Sequence, residues 1–170
     1  MGQYQKRNKA FSIPLLLKIL DEVEIMIKGS DTKDELNRWL VFSCYATLAY
    51  VISLRGSEVF LLDLDGLNRH MVEDNKGYFV IGLLGKIKGE NNEKLHLVPC
   101  SNVTSSGIKV KNTVVQLLKF KKKTGFISGP AITKLNGKPF ETRDLNDMLL
   151  YLLDNIFVQD PSLFPTEVVN

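Results

Sequence analysis

Arg55 is the residue whose type and position point most directly to chemistry. It follows a long apolar stretch, and Gly56 and Glu58 come just after it. A guanidinium at such a turn is suited to bidentate binding of a phosphate, because its planar N–H donors match two oxygens and its charge does not titrate away. The sequence leaves a second interpretation open, in which Arg55 and Glu58 form an ordinary ion pair along a helix.

Lys88 offers a second positive charge for the same chemistry. It precedes Gly89 in a predicted hairpin turn, where a mobile ammonium can reach a phosphate or protonate a departing oxygen. A single lysine on a turn is also typical of a solvated surface. Its interpretation as a functional residue therefore depends on Arg55.

The histidines and cysteines predict no metal site. His96 lies on a predicted strand, where it either donates a hydrogen bond to a phosphate or is a partly exposed structural residue. His70 has no partner at ligand spacing, and Cys44 and Cys100 lack the spacing of metal ligands. Residues 82–86 (GLLGK) lack the Walker spacing and the Ser or Thr that follows it, so no nucleotide cofactor is predicted.

Length and composition predict one folded domain. The chain has 170 residues, of which 44% are hydrophobic and 24% charged, so it can bury a core and is not disordered. The uninterrupted apolar stretches, such as residues 148–153, are far shorter than the roughly 20 residues of a membrane helix, and no apolar segment of a secretory signal precedes Ile13. We therefore expect no membrane partner and an intracellular location, which is nuclear if the source is a eukaryote.

Charge is distributed unevenly along the chain. Residues 86–123 carry nine lysines against two glutamates, whereas residues 141–170 carry one arginine against six acids. This asymmetry predicts one face that binds a polyanion and another that faces away from it. A lysine-rich surface in contact only with solvent is the alternative.

The first elements that position Arg55 are two helices. Apolar spacing in residues 15–27 predicts an amphipathic helix that ends at Gly29. Ser30 or Asp31 is the predicted cap of a second helix. Its apolar stretch in residues 39–54 predicts burial, with a strand as the alternative at its end.

A short helix and a hairpin follow. Residues 59–64 predict a short apolar helix, and residues 78–84 and 94–99 predict two strands joined by a polar turn. The resulting β-hairpin would carry Lys88 at its tip.

Two further helices are predicted after the hairpin. Ser105 or Ser106 is expected to open one that runs to Gly125, with a cluster of lysines near its C-terminal end. Asp144 is expected to cap the last helix, which ends near Pro161. Together these elements predict an α+β fold, mainly helical, with helices packed around a small antiparallel sheet.

Taken together, these residues resemble motifs of the tyrosine recombinase (phage integrase) catalytic domain. In that family a helix ends in a pattern like T-G-L-R-x-S-E-L, and residues 51–59 (VISLRGSEV) stand in the same place. Residues 7–12 (RNKAFS) are similar to the entry into that domain. Residues 85–99 (GKIKGENNEKLHLVP) are similar to its β-hairpin, whose lysine is catalytic.

The sequence is closer still to integrase-like proteins of eukaryotic Crypton-type mobile elements. The similar segments are residues 54–59 (LRGSEV), 85–99, 106–108 (SGI), 144–146 (DLN) and 161–164 (PSLF). The resemblance implies a basic arm at residues 1–12 and a partial recombinase-like catalytic domain over residues 13–170.

The resemblance also implies a mechanism without a metal. A tyrosine attacks a DNA phosphodiester to give a 3′-phosphotyrosyl link, two arginines hold the nonbridging oxygens, and the hairpin lysine protonates the departing 5′-oxygen. By the family motif Arg55 is the first arginine, Lys88 is the lysine, and Glu58 supports the arginine. Lys86 is the runner-up for Lys88, because a hairpin register that slips by two residues keeps the same face.

The chain departs from the family pattern toward its end. The second arginine of the family lies in a His-x-x-Arg or Arg-x-x-Arg motif followed by the nucleophilic tyrosine, and no such segment precedes Asn170. Arg143 has no matching partner three residues earlier and is predicted to enter the last helix. Tyr151 lies in the apolar pattern of that helix and is predicted to pack in the core. We expect this chain to correspond to the first two-thirds of the domain and to be inactive alone.

Two functional hypotheses follow. The first is DNA integration or site-specific recombination by a recombinase-like domain, and the second is a noncatalytic DNA-binding module, or a relic, on the same scaffold. Double-stranded DNA is the expected partner, with no cofactor. We expect this chain to be a monomer and a full-length form to self-associate on DNA. The lysines predicted to contact DNA are Lys86, Lys94, Lys109, Lys111, Lys119, Lys121, Lys122 and Lys123.

Overall fold

The computed structural model describes residues 11–71, 77–86, 89 and 91–165. Its helices are α1 (Ile13–Lys28), α2 (Lys33–Ala46), α3 (Gly56–Val59), α4 (Leu64–His70), α5 (Val110–Lys123) and α6 (Thr142–Gln159). A π-helical turn spans Thr47–Val51, and a 3-10 turn spans Pro161–Leu163. Strands β1 (Tyr78–Gly85) and β2 (Lys94–Ser101) form an antiparallel pair. The predicted α+β fold, mainly helical with a small antiparallel sheet, is confirmed.

The first helix begins where its sequence can satisfy the free N–H groups. The Ser12 hydroxyl accepts a hydrogen bond from the Leu15 N–H at 3.3 Å, and Pro14 occupies the first turn. Phe11 packs edge-on against Tyr50, with ring centroids 5.1 Å apart. Phe11 and Ser12 therefore belong to the folded body and not to the predicted arm, whose residues 1–10 lie outside the described residues.

The second helix starts later than predicted. Its cap is Thr32, whose hydroxyl accepts from the Glu35 N–H at 3.1 Å, and not Ser30 or Asp31. The Ser30 hydroxyl instead donates to the Met26 carbonyl at 2.8 Å, at the end of α1. The end of α1 and the start of α2 both lie in this short connection. Ser30 bonds to the end of α1 and Thr32 caps the start of α2, because each helix end has backbone groups without a partner inside its helix.

The first part of the apolar stretch 39–54 is buried, as predicted, whereas residues 49–54 are partly buried or, at Ser53, exposed. Every residue from 39 to 48 is buried, and the chain continues from α2 into the π-helical turn at Thr47–Val51. The Ile52 N–H donates to the Thr47 carbonyl at 3.1 Å, which closes this wider turn. The backbone stays helical, so the strand alternative for this end is wrong.

The predicted helix over residues 59–64 is also wrong. Leu62 forms a bridge with Leu83 of β1, and Asp63 forms one with Pro130, so this segment is extended between α3 and α4. The Asp63 carboxylate accepts from the Gly66 N–H at 2.7 Å and caps α4. Pairing with β1 overrides the local apolar pattern here.

The hairpin is confirmed, with Tyr78 opposite Ser101 at one end and Gly85 opposite Lys94 at the other. Phe79, Ile81 and Leu83 of β1 are buried, which alternation along a half-buried strand requires. The sheet therefore rests on the core through β1, and the tip of the hairpin extends beyond Gly85.

Helix α5 begins at Val110, and the prediction that Ser105 or Ser106 opens it is wrong. Gly107 has φ +87°, which a right-handed helix does not allow. The Thr104 N–H donates to the Ile108 carbonyl at 3.0 Å, and the Thr104 hydroxyl accepts from the Ile108 N–H at 3.1 Å. These bonds close a turn before the helix starts.

Helix α6 starts at Thr142 with Glu141 at its cap position. Asp144, the predicted cap, lies three residues inside, and its carboxylate accepts from the Glu141 N–H at 3.0 Å. Arg143 lies in the first turn, as predicted, and α6 ends before Pro161, as predicted. Asp144 is therefore the third helical residue of a capping box, in which its carboxylate accepts from the backbone N–H of the cap residue Glu141.

In the described part of the chain, no helix combines the length and the apolar character needed to cross a bilayer. The buried side chains come from all six helices, the π-helical turn, both strands and several connecting segments, and they form one cluster. That cluster supports the turn on which Arg55 lies.

Candidate functional site

Arg55 is exposed at the start of α3. Its carbonyl accepts from the Glu58 and Val59 N–H groups at 2.9 and 3.1 Å, so the backbone at Arg55 is already committed to the helix. The short helix ends close to the core, since Val59 is completely buried. The structure therefore presents a solvent-accessible guanidinium from a backbone that is held in place.

Glu58 acts on the Arg55 backbone and not on its side chain. One Glu58 carboxylate oxygen accepts from the Arg55 N–H at 2.9 Å. Within the described ranges no ion pair joins the two side chains, so the ion-pair interpretation of Arg55 and Glu58 is wrong. Glu58 therefore fixes the backbone of Arg55. The Arg55 guanidinium stays available to another anion.

Ser53 introduces backbone strain two residues before Arg55. It has φ +69°, a left-handed conformation that favours glycine. The Leu54 N–H donates to the Leu48 carbonyl at 3.0 Å across Ser53, which ends the helical run and turns the chain outward. In the recombinase-like pattern T-G-L-R a glycine stands at the position of Ser53. A glycine adopts φ > 0 without the steric penalty that Ser53 carries.

We expect the Ser53→Gly substitution to raise the free energy of unfolding by about 0.5–1 kcal/mol, because glycine removes the left-handed penalty and costs part of that gain in unfolded-chain entropy. Urea unfolding measured by circular dichroism checks this. Ser57→Gly is the matched control, since Ser57 lies inside α3 without a positive φ and should lose stability. Stabilisation of both variants would contradict the role given to Ser53.

The segment after Arg55 runs directly onto the hairpin. The Leu61 carbonyl accepts from the Leu84 N–H at 2.8 Å, and the Asp63 N–H donates to the Gly82 carbonyl at 3.0 Å. Gly85 lies so close to Leu61 that an added Cβ would meet the Leu61 side chain at 2.7 Å. The arginine turn and the lysine-bearing end of β1 are thus joined through one short, hydrogen-bonded segment.

The hairpin tip carries the predicted lysines only in part. Lys88 lies outside the described residues, so its predicted role stays a prediction. Lys86 is exposed directly after β1, and Lys94 is exposed at the start of β2, opposite Gly85. Lys86 and Lys94 therefore both belong to the tip end of the hairpin.

The predicted DNA-contacting lysines of α5 do not form one patch. Lys119, Lys122 and Lys123 are exposed near its C-terminal end, at the i, i+3 and i+4 spacing of one helix face. Lys109 is exposed and Lys111 is partly buried at the other end, about 12–21 Å away along the helix axis. Lys119, Lys122 and Lys123 therefore form one exposed cluster, which is separate from Lys109 and Lys111.

Lys121 is a correction to the sequence prediction, because it is completely buried. Its Nζ donates to the Thr133 carbonyl at 2.6 Å and to the Thr133 hydroxyl at 2.9 Å, and it lies 5.5 Å from the centre of the Phe126 ring. Burial lowers the pKa of Lys121 from 10.5 to about 8. Lys121 is a structural residue and cannot contact DNA.

One signal in the sequence could have shown this. Val114, Leu117 and Lys121 follow the spacing of a buried helix stripe, and all three are buried. Among Lys119, Lys121, Lys122 and Lys123, only Lys121 falls on that stripe. Helix periodicity therefore separates it from its neighbours.

His96 lies on β2 opposite Leu83. It is partly buried, which agrees with the prediction of a partly exposed strand residue. The phosphate-binding role of His96 stays a prediction.

Tyr151 was predicted to pack in the core, which is wrong, since it is 51% exposed on α6. Its ring lies 6.4 Å from the Trp39 ring, between centroids.

Comparison of the chain with known proteins finds no matching family model, no matching curated protein and no matching solved structure. The interpretation of the site therefore rests on its own residues and on the motifs they resemble.

Proposed function

We propose that this chain binds duplex DNA as a tyrosine recombinase-like domain, with Arg55 holding a backbone phosphate beside the hairpin. The observation that carries the proposal is the presentation of Arg55. Its backbone is fixed by Glu58, its side chain is exposed, and the segment after it is hydrogen-bonded to β1. An arginine held in this way binds an anion with little loss of backbone freedom.

The lysines support the same proposal through charge. Lys86 and Lys94 lie at the tip end of the hairpin, and Lys119, Lys122 and Lys123 share one exposed helix face. Exposed lysines bind phosphates by releasing counterions, so affinity for DNA should fall as salt rises. Lys88 belongs to the proposal as the proton donor that the family resemblance implies.

We expect the Arg55→Ala variant to bind a duplex oligonucleotide at least about tenfold more weakly than the unchanged protein, because a charge-assisted contact to phosphate is lost. Fluorescence anisotropy at low and at moderate salt measures this. Arg69→Ala is the matched control, because Arg69 is also exposed but already pairs with Asp65 at 3.2 Å. Equal losses in both variants would contradict a specific role for Arg55, and no binding at low salt would favour a relic.

Strand cleavage and rejoining is the activity that the resemblance implies for the complete machinery. The second arginine and the tyrosine nucleophile of the family pattern have no counterpart in these 170 residues. We therefore propose binding, without cleavage, for this chain alone. A nicked suicide duplex should give no phosphotyrosyl adduct. An adduct that depends on Arg55 would show instead that this chain supplies its own nucleophile.

A further inference from the structure

Helix α6 presents an apolar face to solvent. Four of its large apolar side chains are at least 50% exposed, namely Leu150, Tyr151, Phe157 and Val158. The buried residues of α6 lie on the opposite side of the helix and are Leu145, Met148, Leu152 and Ile156. The buried side anchors α6 in the core, so the exposed apolar face is held on a rigid element. Apolar residues grouped on one surface in this way are typical of an interaction site.

The exposed face of α6 repeats every seven residues. Three pairs of its residues are seven apart: Asp147 and Asp154, Leu150 and Phe157, and Tyr151 and Val158. A seven-residue repeat of apolar positions keeps one stripe of a helix turned toward a partner helix. The repeat covers about 16 Å of the helix axis. It therefore favours a second helix as the occupant of this face.

The chain itself already covers one end of the face. Phe164, which follows the 3-10 turn, packs edge-on against Phe157, with ring centroids 5.2 Å apart. Val158, in contrast, is 82% exposed, and Leu150 is 57% exposed. The surface left for a partner is therefore the part that contains Leu150 and Val158.

The charge of the face determines which kind of helix fits it. By helix geometry, Asp147 and Asp154 lie between the two apolar columns, and both are exposed. Within the described ranges neither forms an ion pair. The one basic residue of α6, Arg143, lies a turn before Asp147, at the start of the helix. The middle of the face is therefore acidic and complements a partner that carries lysine or arginine.

The same charge disfavours a second copy of this chain. Pairing of two α6 helices would bring four aspartates into one interface, against two arginines at its ends. Like charges that meet across an interface oppose association. A basic partner avoids this repulsion.

We propose that the exposed face of α6 binds a basic amphipathic helix of a partner protein. Apolar side chains of that helix contact Leu150 and Val158, and its lysines or arginines lie opposite Asp147 and Asp154. The proposal is independent of DNA binding, because Arg55 lies on a different helix.

Two synthetic helical peptides test the proposal. Each has three heptads with leucine at the apolar positions, and the flanking charged positions are all lysine in one peptide and all glutamate in the other. Fluorescence anisotropy of the labelled peptides should show saturable binding of the lysine peptide and at least about tenfold weaker binding of the glutamate peptide. The protein has a net charge of +3, so nonspecific attraction would favour the glutamate peptide instead. Equal binding of the two peptides, or no binding of the lysine peptide, would overturn the proposal.

The apolar contacts are tested by the Leu150→Ala, Val158→Ala double variant. It should bind the lysine peptide at least about tenfold more weakly, because apolar area is no longer buried there. The matched control is the Val103→Ala, Ile127→Ala double variant, since these residues are 52% and 60% exposed and lie outside α6. Equal affinities of the two variants, both shown by circular dichroism to be folded, would contradict binding at α6.

The charge contacts are tested by the Asp147→Lys, Asp154→Lys double variant. It should prefer the glutamate peptide, because the charges at the centre of the face are reversed. A gain of binding cannot result from unfolding. A variant that keeps the preference for the lysine peptide would overturn the placement of the aspartates opposite basic residues.

Two measurements on the protein alone distinguish other occupants of the face. Sedimentation velocity should show a monomer. A dimer that the Leu150→Ala, Val158→Ala variant abolishes would assign the face to a second copy and overturn the proposal. Cosedimentation with phosphatidylcholine vesicles, if the same variant abolished it, would assign the face to lipid and also overturn the proposal.

Discussion

We expect the Lys121→Glu variant to lose about 3–5 kcal/mol of stability at neutral pH, because its carboxylate would be buried without a cation. In the unchanged protein the Lys121 ammonium donates to both oxygens of Thr133. Glutamate would face the Thr133 carbonyl with a second acceptor. A domain of this size has a stability of about 5–15 kcal/mol, so the loss removes a large part of it.

Guanidinium unfolding followed by circular dichroism measures this loss. Lys122→Glu is the matched control, since it changes the same charge at the next residue on an exposed side of α5. That change should cost less than about 1 kcal/mol, through the helix dipole. Similar unfolding midpoints for the two variants would show that Lys121 is exposed, as a surface lysine would be.

The second large expected result is a pH-dependent difference between the unchanged protein and its Lys121→Met variant. Burial lowers the pKa of Lys121 to about 8 in the folded state, against 10.5 for an ordinary lysine in the unfolded chain. Between these values the unfolded chain binds a proton that the folded chain does not. The lysine protein therefore gains stability relative to the variant as pH rises from about 8 to 10.5.

This gain is about 1.4 kcal/mol for each pH unit, or about 3 kcal/mol in total. Denaturant unfolding of both proteins at several alkaline pH values gives the difference directly. The comparison is needed because burial also raises the pKa of Cys44 to about 12 and that of Cys100 to about 11, which lowers stability over part of the same range. Those groups are the same in both proteins, so their effects cancel. A difference that does not change with pH would show that Lys121 titrates normally.

The burial of Lys121 also affects how α5 can be tested as the proposed DNA-binding element. Lys119, Lys122 and Lys123 remain exposed, whereas Lys121 is used to join α5 to the segment that contains Thr133. A charge-reversal variant that includes Lys121 would therefore be destabilised whether or not α5 contacts DNA. Tests of the predicted surface must leave that residue unchanged.

Local sequence signals predicted the elements that carry the candidate site. Alternating apolar residues indicated β1 and β2, and helical spacing indicated α1, α5 and α6, because each pattern follows from the geometry of one element. The residues at which the helices start were less predictable. Thr32 and Glu141 replaced the expected caps, since several neighbouring polar residues could accept the same N–H groups.

The sequence by itself determined that an apolar helical run precedes Arg55 and that a lysine-bearing hairpin follows it. Only the tertiary structure decided the hydrogen-bond partner of Lys121 and of Asn37, which is Thr133 in both cases. The physical reason is that these features depend on contacts between distant positions. Thr133 is 12 residues from Lys121 and 96 from Asn37, yet it accepts hydrogen bonds from both. No local period in the sequence encodes such a meeting.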